Sequence, residues 1–503
     1  MGSGSGGHDE GNIGRVIPVM TYYIYALLIF FGHVRDFVGV LLGVSRYIQS
    51  VPKPGYSVLL KSWESFFTRR IFHRIQDCWN RPICSSPGAR INVMERVTEN
   101  NNYNLEVTGK FKTCINTGSY NYLGYADDWK ETCREDVLDA VDRWPASMCS
   151  SRMDFGTTSL LTELETLVAA YVGKEAAIVL PMGYNTNVTC LSMLMREGTL
   201  IISDNLNHTS IVNGSRASEA QIRVFRSNDI AHLEEVLQEA VMKGQPRGQG
   251  AKKEEAPVHR PWKKIMVVVE GIYSMEGAVC RLREIVPVCK KYKAYLYVDE
   301  AHSIGALGAT GRGVCEYTNT DPADVNVLMG TFTKSFSGMG GYVAADRATI
   351  EYLRACNEGM LYHNAMSPVV TQQVITAFKV IMGTIHPGVG KKKIVALREN
   401  SNYFRSELKK MGLHVFGDED SPIIPVMIYM PSKLAAFSRE CLKRGLAVVV
   451  VGFPATPLIL ARARFCISAG HSRKDLDEAL AIVKEVSELM LMNYEKNPFG
   501  LNL

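Results

Sequence analysis

Short uninterrupted apolar runs recur through the middle of the chain, each closed by a polar or glycine-bearing turn: EAAIVLP, TLIISD, QIRVFR, KIMVVVEG, AYLYVDE and VNVLMGTF. Their length and β-branched content predict strands, and their lack of in–out alternation predicts that both faces are covered. Between several of them apolar positions recur at helical spacing instead, as in LTELETLVAAYVG and IAHLEEVLQEAVMKG. Strands alternating with helices predict an α/β fold built on a mainly parallel sheet. In such sheets the chemistry gathers where strands end and loops begin.

The pattern changes in four places. Residues 16–32, VIPVMTYYIYALLIFFG, carry no charge and lie between Arg15 and His33–Arg35. Seventeen residues is near the lower limit for crossing a hydrocarbon core of ~30 Å. The segment, continued by VRDFVGVLLGVSRY, predicts a membrane-associated helix that either spans or lies in the interface. The mixed, charged stretch 51–113 reads as a connecting arm. GQPRGQGAKKEEAPVHRP, residues 244–261, reads as a surface insertion. After about residue 379 a second unit begins, with a helix in ALRENSNYFRSELKKMG, strands in PIIPVMIY and LAVVVVGF, and a last helix in RKDLDEALAIVKEVSELM. The expected organisation is an anchor over 1–50, the arm over 51–113, a large catalytic domain over 114–378 and a small α/β domain over 379–503. No internal repeat is visible.

Composition changes this picture little. The 503 residues are 46% hydrophobic and 21% charged, enough for a large buried core. The formal net charge of +5 is too diffuse for a nucleic-acid surface. Twelve cysteines stand without any C-x-x-C pair or zinc-type spacing, so reduced thiols on the cytosolic side are expected, with no metal site.

Candidate chemistry lies at the strand ends. In GTFTKSFSGMGGY a buried strand feeds Lys334 just after the hydroxyls of Thr331 and Thr333, and the glycines that follow permit close backbone approach. A lone lysine is ordinarily a solvated charge, but one lowered in pKa suits covalent chemistry with a carbonyl. In AYLYVDEAHSIGALG, Asp299 ends an apolar strand and His302 follows; such a carboxylate can cap a turn or hold a pyridinium nitrogen protonated. Gly183–Tyr184 in LPMGYNTNVTCL offers helix-start amides to a phosphate. His208 in SDNLNHTSI can stack on a flat ring or be merely solvated, and Ser274 in EGIYSMEG can donate to a ring oxygen. Together these pieces form a parts list for pyridoxal phosphate.

The motifs NYLGY, GYNTN, SDNLNHTSI, EGIYSMEG, VDEAHSIG, GTFTKSF and FPATP…RARFCISAGHS resemble the α-oxoamine synthases, which are fold-type I pyridoxal-phosphate enzymes. GTFTKSF, HRPWKKI and FPATP are similar to the catalytic long-chain-base subunits of eukaryotic serine palmitoyltransferases, plant and algal forms above all. The resemblance implies a seven-stranded, mainly parallel sheet in the large domain and pyridoxal 5'-phosphate as cofactor. It implies that Lys334 bonds the cofactor, Asp299 pairs with the ring nitrogen and His208 stacks on the ring. His302 and Ser274 would meet the ring oxygen, while Thr331, Thr333 and the amides of Gly183 and Tyr184 would hold the phosphate. Tyr120, Asn121 and Arg464 would meet the amino-acid substrate. The implied reaction condenses L-serine with palmitoyl-CoA to 3-oxosphinganine. The implied setting is the endoplasmic reticulum membrane, with the catalytic domain facing the cytosol. The implied partners are a related non-catalytic long-chain-base subunit and small membrane regulatory subunits. The alternatives are another α-oxoamine synthase using glycine or alanine, and a non-catalytic scaffold subunit of the same complex.

Four positions depart from the family pattern. Gly452 stands where soluble relatives carry Arg, and Ser337 stands where the family has Gly. Leu160 or Leu161 occupies a region where many relatives have His. His363 and Asn364 replace an LYATS-like sequence, with altered contacts near the phosphate as the expected result.

Overall fold

The computed structural model describes residues 16–43, 54–57, 62–246 and 259–494. An N-terminal hairpin, β1 (Arg90–Val97) and β2 (Glu106–Asn116), precedes the main sheet. That sheet contains β3 (Ala176–Leu180), β4 (Leu200–Asp204), β5 (Gln221–Phe225), β6 (Ile265–Glu270), β7 (Tyr295–Asp299), β8 (Val327–Thr331) and β9 (Gly341–Ala345). Its seven strands run in the order β3-β9-β8-β7-β6-β4-β5. β9 is antiparallel to both neighbours, and the pairings among β4 to β8 are parallel. The six apolar runs of the sequence are therefore six of the seven strands. The seventh, GYVAA, is short, rich in small residues and hidden behind the glycine run.

Along β3, β4, β6, β7, β8 and β9 alternate residues enter different cores, whereas β5 is an edge strand that buries only Phe225. Val267, Val269, Val298 and Leu328 pack into one layer, while Ile201, Val268, Tyr297 and Val343 pack into the other. This two-sided burial is why the runs show no in–out alternation. The helix Ser159–Val172 covers one face; Thr158 caps its start by accepting from the Leu161 amide, and Gly173 closes it at φ 73°. Leu160 and Leu161 are buried in that layer. The helix Pro368–Ile381 runs through the expected 378/379 boundary.

The C-terminal unit carries β10 (Ile423–Met427), β11 (Leu446–Ala447), β12 (Val449–Val451) and β13 (Arg462–Cys466). β10, β13 and β12 form an antiparallel sheet in that order. The run LAVVVVGF does not form one strand: it splits, because β11 leaves to pair with β2 in parallel, Leu446 opposite Ile115. The 51–113 stretch thus contributes a hairpin to a sheet that the C-terminal unit completes. The helices Val389–Lys410 and Arg473–Leu489 cover the unit, the second opening on a capping box of Ser472 and Asp475.

The N-terminal apolar segment is a helix, Val16–Leu41, 26 residues long and so about 39 Å. It continues past Gly32, with a mean hydropathy of 1.7. Ile17, Thr21 and Tyr25 form a buried stripe, while Val19, Tyr23, Phe30, Phe31 and Phe37 are exposed. Asp36 pairs with Arg69 at 2.8 Å and with Arg70. Of the expected insertion, residues 247–258 lie outside the described residues. Its flanks meet where the Gln245 amide donates to the Arg260 carbonyl at 2.7 Å.

Candidate active site

Parallel register brings the carboxyl ends of β6, β7 and β8 together, with Glu270 opposite Asp299 and Asp299 opposite Met329. The start of the helix Gly183–Leu194 and the loop after β8 close over them, leaving a cavity of about 320 Å³. Tyr120, Gly183, Tyr184, His208, Ser274, Asp299, His302, Thr331, Thr333, Lys334 and Arg464 all line it. Of the residues expected to meet cofactor or substrate, Asn121 alone lies elsewhere. It opens onto a neighbouring chamber of about 760 Å³ that shares Tyr120, Thr333 and Lys334. Its amide nitrogen donates to Asp127 at 2.9 Å and its oxygen accepts from the Ser337 hydroxyl at 3.1 Å.

The loop carrying Lys334 is held by its apolar neighbours. Phe332 and Phe336 are fully buried, and Phe336 stacks on Phe378 with centroids 4.2 Å apart. The Lys334 amine projects into the cavity, 5.8 Å from the centroid of the Tyr120 ring. Burial lowers its pKa to about 8, with Asp299 and Glu270 opposing the shift and Arg464 assisting it. A far larger share of this amine is free base near neutrality than of an ordinary lysine.

Asp299 is fixed from two sides. The Asn187 amide nitrogen donates to one carboxylate oxygen at 2.7 Å and the Ala301 amide to the other at 2.8 Å. The Tyr297 hydroxyl donates to the Asn187 oxygen at 2.8 Å, which sets the amide's orientation. Asn187 also reaches the Ser210 hydroxyl, which lies 2.8 Å from His208 Nδ1. Nδ1 accepts from the Ser210 amide too, so the ring's proton sits on Nε2. Burial, with Lys334 assisting, holds the His208 pKa down. His302 is lowered much further by burial and by the nearby cations Lys334 and Arg464, and its Nδ1 lies 2.8 Å from the Tyr122 hydroxyl. Both imidazoles are neutral at physiological pH.

Asn187, Ser210 and Glu270 escaped the sequence reading. Asn187 is one helical turn after Gly183, a spacing that puts it on the same face. Glu270 ends a strand just as Asp299 does. It accepts a hydrogen bond from the His208 amide, and burial, followed by the Asp299 charge, pushes its pKa well above the usual carboxylate range.

The residues fit pyridoxal phosphate. Met182 provides no side-chain cap to the helix starting at Gly183, so its first amides are available to an anion. A Cβ on Gly183 would stand 2.6 Å from Thr331 Oγ1, so only glycine lets that hydroxyl approach the helix start. The Thr331 and Thr333 hydroxyls are 2.9 Å apart at the same spot. Arg464 supplies the other pole. It is buried, donates to the Ser274 carbonyl at 3.2 Å and bonds the Tyr120 hydroxyl. No acidic side chain among the described residues pairs with it, and its Nε has no partner. A buried cation in that state suits a carboxylate ligand.

The departures fall at differing distances from this centre. Ser337 takes φ 48°, a left-handed conformation that explains the family's glycine there. A Cβ on Gly452 would meet Leu434 Cδ2 at 2.9 Å. His363 Nε2 lies 3.2 Å from the amide nitrogen of Asn185, in the first turn of the helix begun by Gly183. Asn364 bridges to Ser151. Leu160 and Leu161 are core residues outside the cavity.

The chain matches the family model for aminotransferase class I and II over residues 112–483. It is 52% identical to long chain base biosynthesis protein 2b of Arabidopsis thaliana, across 95% of this chain and 94% of that one. It is 46% identical to serine palmitoyltransferase 2 of Dictyostelium discoideum, across 98% of each chain. A high-resolution structure of SPT with PLP internal aldimine superposes with a TM-score of 0.71 at 27% identity, covering 85% of this chain and 99% of the other. A lysine, an aspartate and a helix start grouped at the ends of parallel strands, in a chain with such relatives, mark it as a member of the class I and II aminotransferase family, in the branch of the long chain base biosynthesis proteins and serine palmitoyltransferases.

Proposed function

We propose that this chain is the catalytic subunit of a serine palmitoyltransferase, joining L-serine to palmitoyl-CoA on pyridoxal 5'-phosphate in the first step of sphingolipid biosynthesis. The observation that carries this reading is one cavity holding both a lysine lowered to about pKa 8 and a buried guanidinium without an acidic partner. When bound, the cofactor supplies an electron-withdrawing ring that stabilises negative charge at the substrate's α-carbon. Thr331, Thr333 and the helix start at Gly183 hold its phosphate. Asp299 would keep its ring nitrogen protonated, His208 would stack on the ring, and His302 and Ser274 would meet its ring oxygen.

Lys334, whose amine projects into the cavity, would be the residue that holds the cofactor covalently. Arg464, with Tyr120, receives the serine carboxylate and orients the α-carbon. The freed Lys334 amine takes the α-proton. A carbon–carbon bond then forms to the thioester carbonyl, the CoA thiolate leaves, and the carboxylate departs as CO2. Lys334 returns a proton to the α-carbon, releasing 3-oxosphinganine. Holding both reactants in one cavity makes the bond-forming step effectively intramolecular.

The reading includes a related non-catalytic subunit as partner, with small membrane subunits beside it. Support comes from exposed apolar side chains, Met153, Phe155, Met182, Met339, Leu361 and Tyr362, of which Met182 lines the cavity. The Met153 amide bonds the Met360 carbonyl, which draws the first and last of these together. It also includes the endoplasmic reticulum membrane with the catalytic domain in the cytosol. This is supported by the apolar helix Val16–Leu41 and by cysteines that are all free. The deciding experiment assays the purified chain with its partner on L-serine, glycine and L-alanine against several acyl-CoAs. Serine with palmitoyl-CoA should give the highest kcat/KM; a preference for glycine or alanine, or no turnover with intact cofactor, defeats the reading.

A further inference from the structure

We infer that Arg462, through its pairing with Glu276, is a positioning residue for the end of the cavity that holds the substrate carboxylate; this rests on the reading of Arg464 above. Arg462 and Arg464 are two residues apart on β13, so both side chains leave the same face of the strand. Both cross from the small sheet to the turn that follows β6. Arg464 donates to the Ser274 carbonyl at 3.2 Å, and Arg462 donates to the next carbonyl, Met275, at 2.8 Å.

Their electrostatic states are opposite. Arg462 is 1% exposed and neutralised by Glu276 at 3.2 Å, with its Nε spent on the Leu460 carbonyl at 2.9 Å. Arg464 is also buried but has no acidic partner among the described residues. A buried ion pair is a poor way to gain stability, since an apolar pair of similar volume serves packing as well or better. What it adds is a fixed position for whatever it bonds. Here that is the turn bearing Ser274, which is also Arg464's own anchor.

The turn is seated from its other side as well. Gly277 takes φ 66°, and a Cβ there would stand 2.5 Å from the Ile423 carbonyl of β10. The Asp418 amide donates to the Gly277 carbonyl at 3.2 Å. Among the described residues the Arg462–Glu276 pair is the one ion pair that ties the turn to the strand carrying Arg464. Without it, Arg464 would hang from a turn free to shift by the few tenths of an ångström that decide a bidentate contact.

The test uses full-length protein loaded with pyridoxal phosphate, titrated with L-serine and with ethanolamine, which lacks the carboxylate, while the visible absorbance is followed. Glu276→Gln should weaken L-serine about 5- to 20-fold and leave ethanolamine within about twofold. Arg462→Lys should recover part of the serine affinity that Arg462→Met loses. Equal weakening of both ligands by Glu276→Gln, or wild-type serine binding in both Glu276→Gln and Arg462→Lys, overturns the inference. If Arg462→Met does not fold, those two variants still decide it. Arg464→Met should abolish the discrimination between serine and ethanolamine; if discrimination survives there, the parent reading of Arg464 fails instead.

Discussion

Asn187 holds Asp299 by a 2.7 Å hydrogen bond from its amide nitrogen, and the hydroxyl of Tyr297, 2.8 Å from the Asn187 oxygen, prevents the amide from turning over. A carboxylate bound this way keeps its charge facing the cavity. Replacing Asn187 with Ala removes a bond to a charged group, worth roughly 1.5–3 kcal/mol. The expected result is a kcat/KM lower by about 10- to 100-fold in a chain that still folds, checked by steady-state kinetics beside circular dichroism.

Lys334 should govern the pH dependence. In the cofactor-free protein the free amine is the form that attacks an aldehyde, and burial lowers its pKa to about 8, so the rate of pyridoxal phosphate loading should rise with pH and level off above that value. The same shift acts on stability before cofactor is loaded. The folded pKa lies below the ordinary lysine value of 10.5, so between about 8 and 10.5 the unfolded chain binds more protons than the folded one. Stability of the cofactor-free protein therefore gains a contribution as pH climbs through that window. Urea unfolding at pH 8 and pH 10, compared with Lys334→Met, isolates it; an equal change in both proteins would contradict the assignment.

The close approach of Thr331 to the helix start requires glycine at 183. Gly183→Ala would put a methyl group 2.6 Å from Thr331 Oγ1 and force the cradle apart. Cofactor affinity should fall by at least about tenfold, with global stability lowered by only about 1 kcal/mol. Equilibrium dialysis against pyridoxal phosphate measures the first, and thermal melting the second.

Deleting residues 1–43 should release the protein from the membrane pellet, because the exposed apolar face of the helix Val16–Leu41 goes with it. The catalytic cavity draws no residue from that helix, so the visible band of the bound cofactor should persist. A truncated chain that still sediments with membranes would point to a second contact surface.

Restoring the family's arginine by Gly452→Arg should harm rather than help. A Cβ at 452 already lies 2.9 Å from Leu434, so the long side chain must displace a packed neighbour. We expect a loss of about 1–3 kcal/mol and a lower Tm, without improved serine affinity.

Much of this was legible in the residues. Five of the seven main strands stood out because two-sided burial leaves continuous apolar runs, β5 stood out by its β-branched residues although it lies at the sheet edge, and Lys334, Asp299 and Gly183 stood out because they end or follow such runs. β13 was obscured by Arg462 and Arg464, which interrupt its apolar pattern although both side chains are buried. Asn187 and Ser210 act through contacts made by the fold, and nothing in their local sequence distinguishes them from ordinary helix residues. The split of LAVVVVGF between two sheets was hidden for a similar reason: Leu446 pairs with Ile115, a partner that no local pattern can announce.

That last pairing bears on how the protein is made. Strand β2 is finished by residue 116, yet the strand that pairs with its last two residues starts only at residue 446. At ribosomal speeds of about 5–20 residues per second, that end stays unpaired for roughly 15–65 s of synthesis. During that interval the end of β2 at Ile115 and Asn116 waits for a partner made near the close of synthesis, so this corner of the fold is a late, long-range contact.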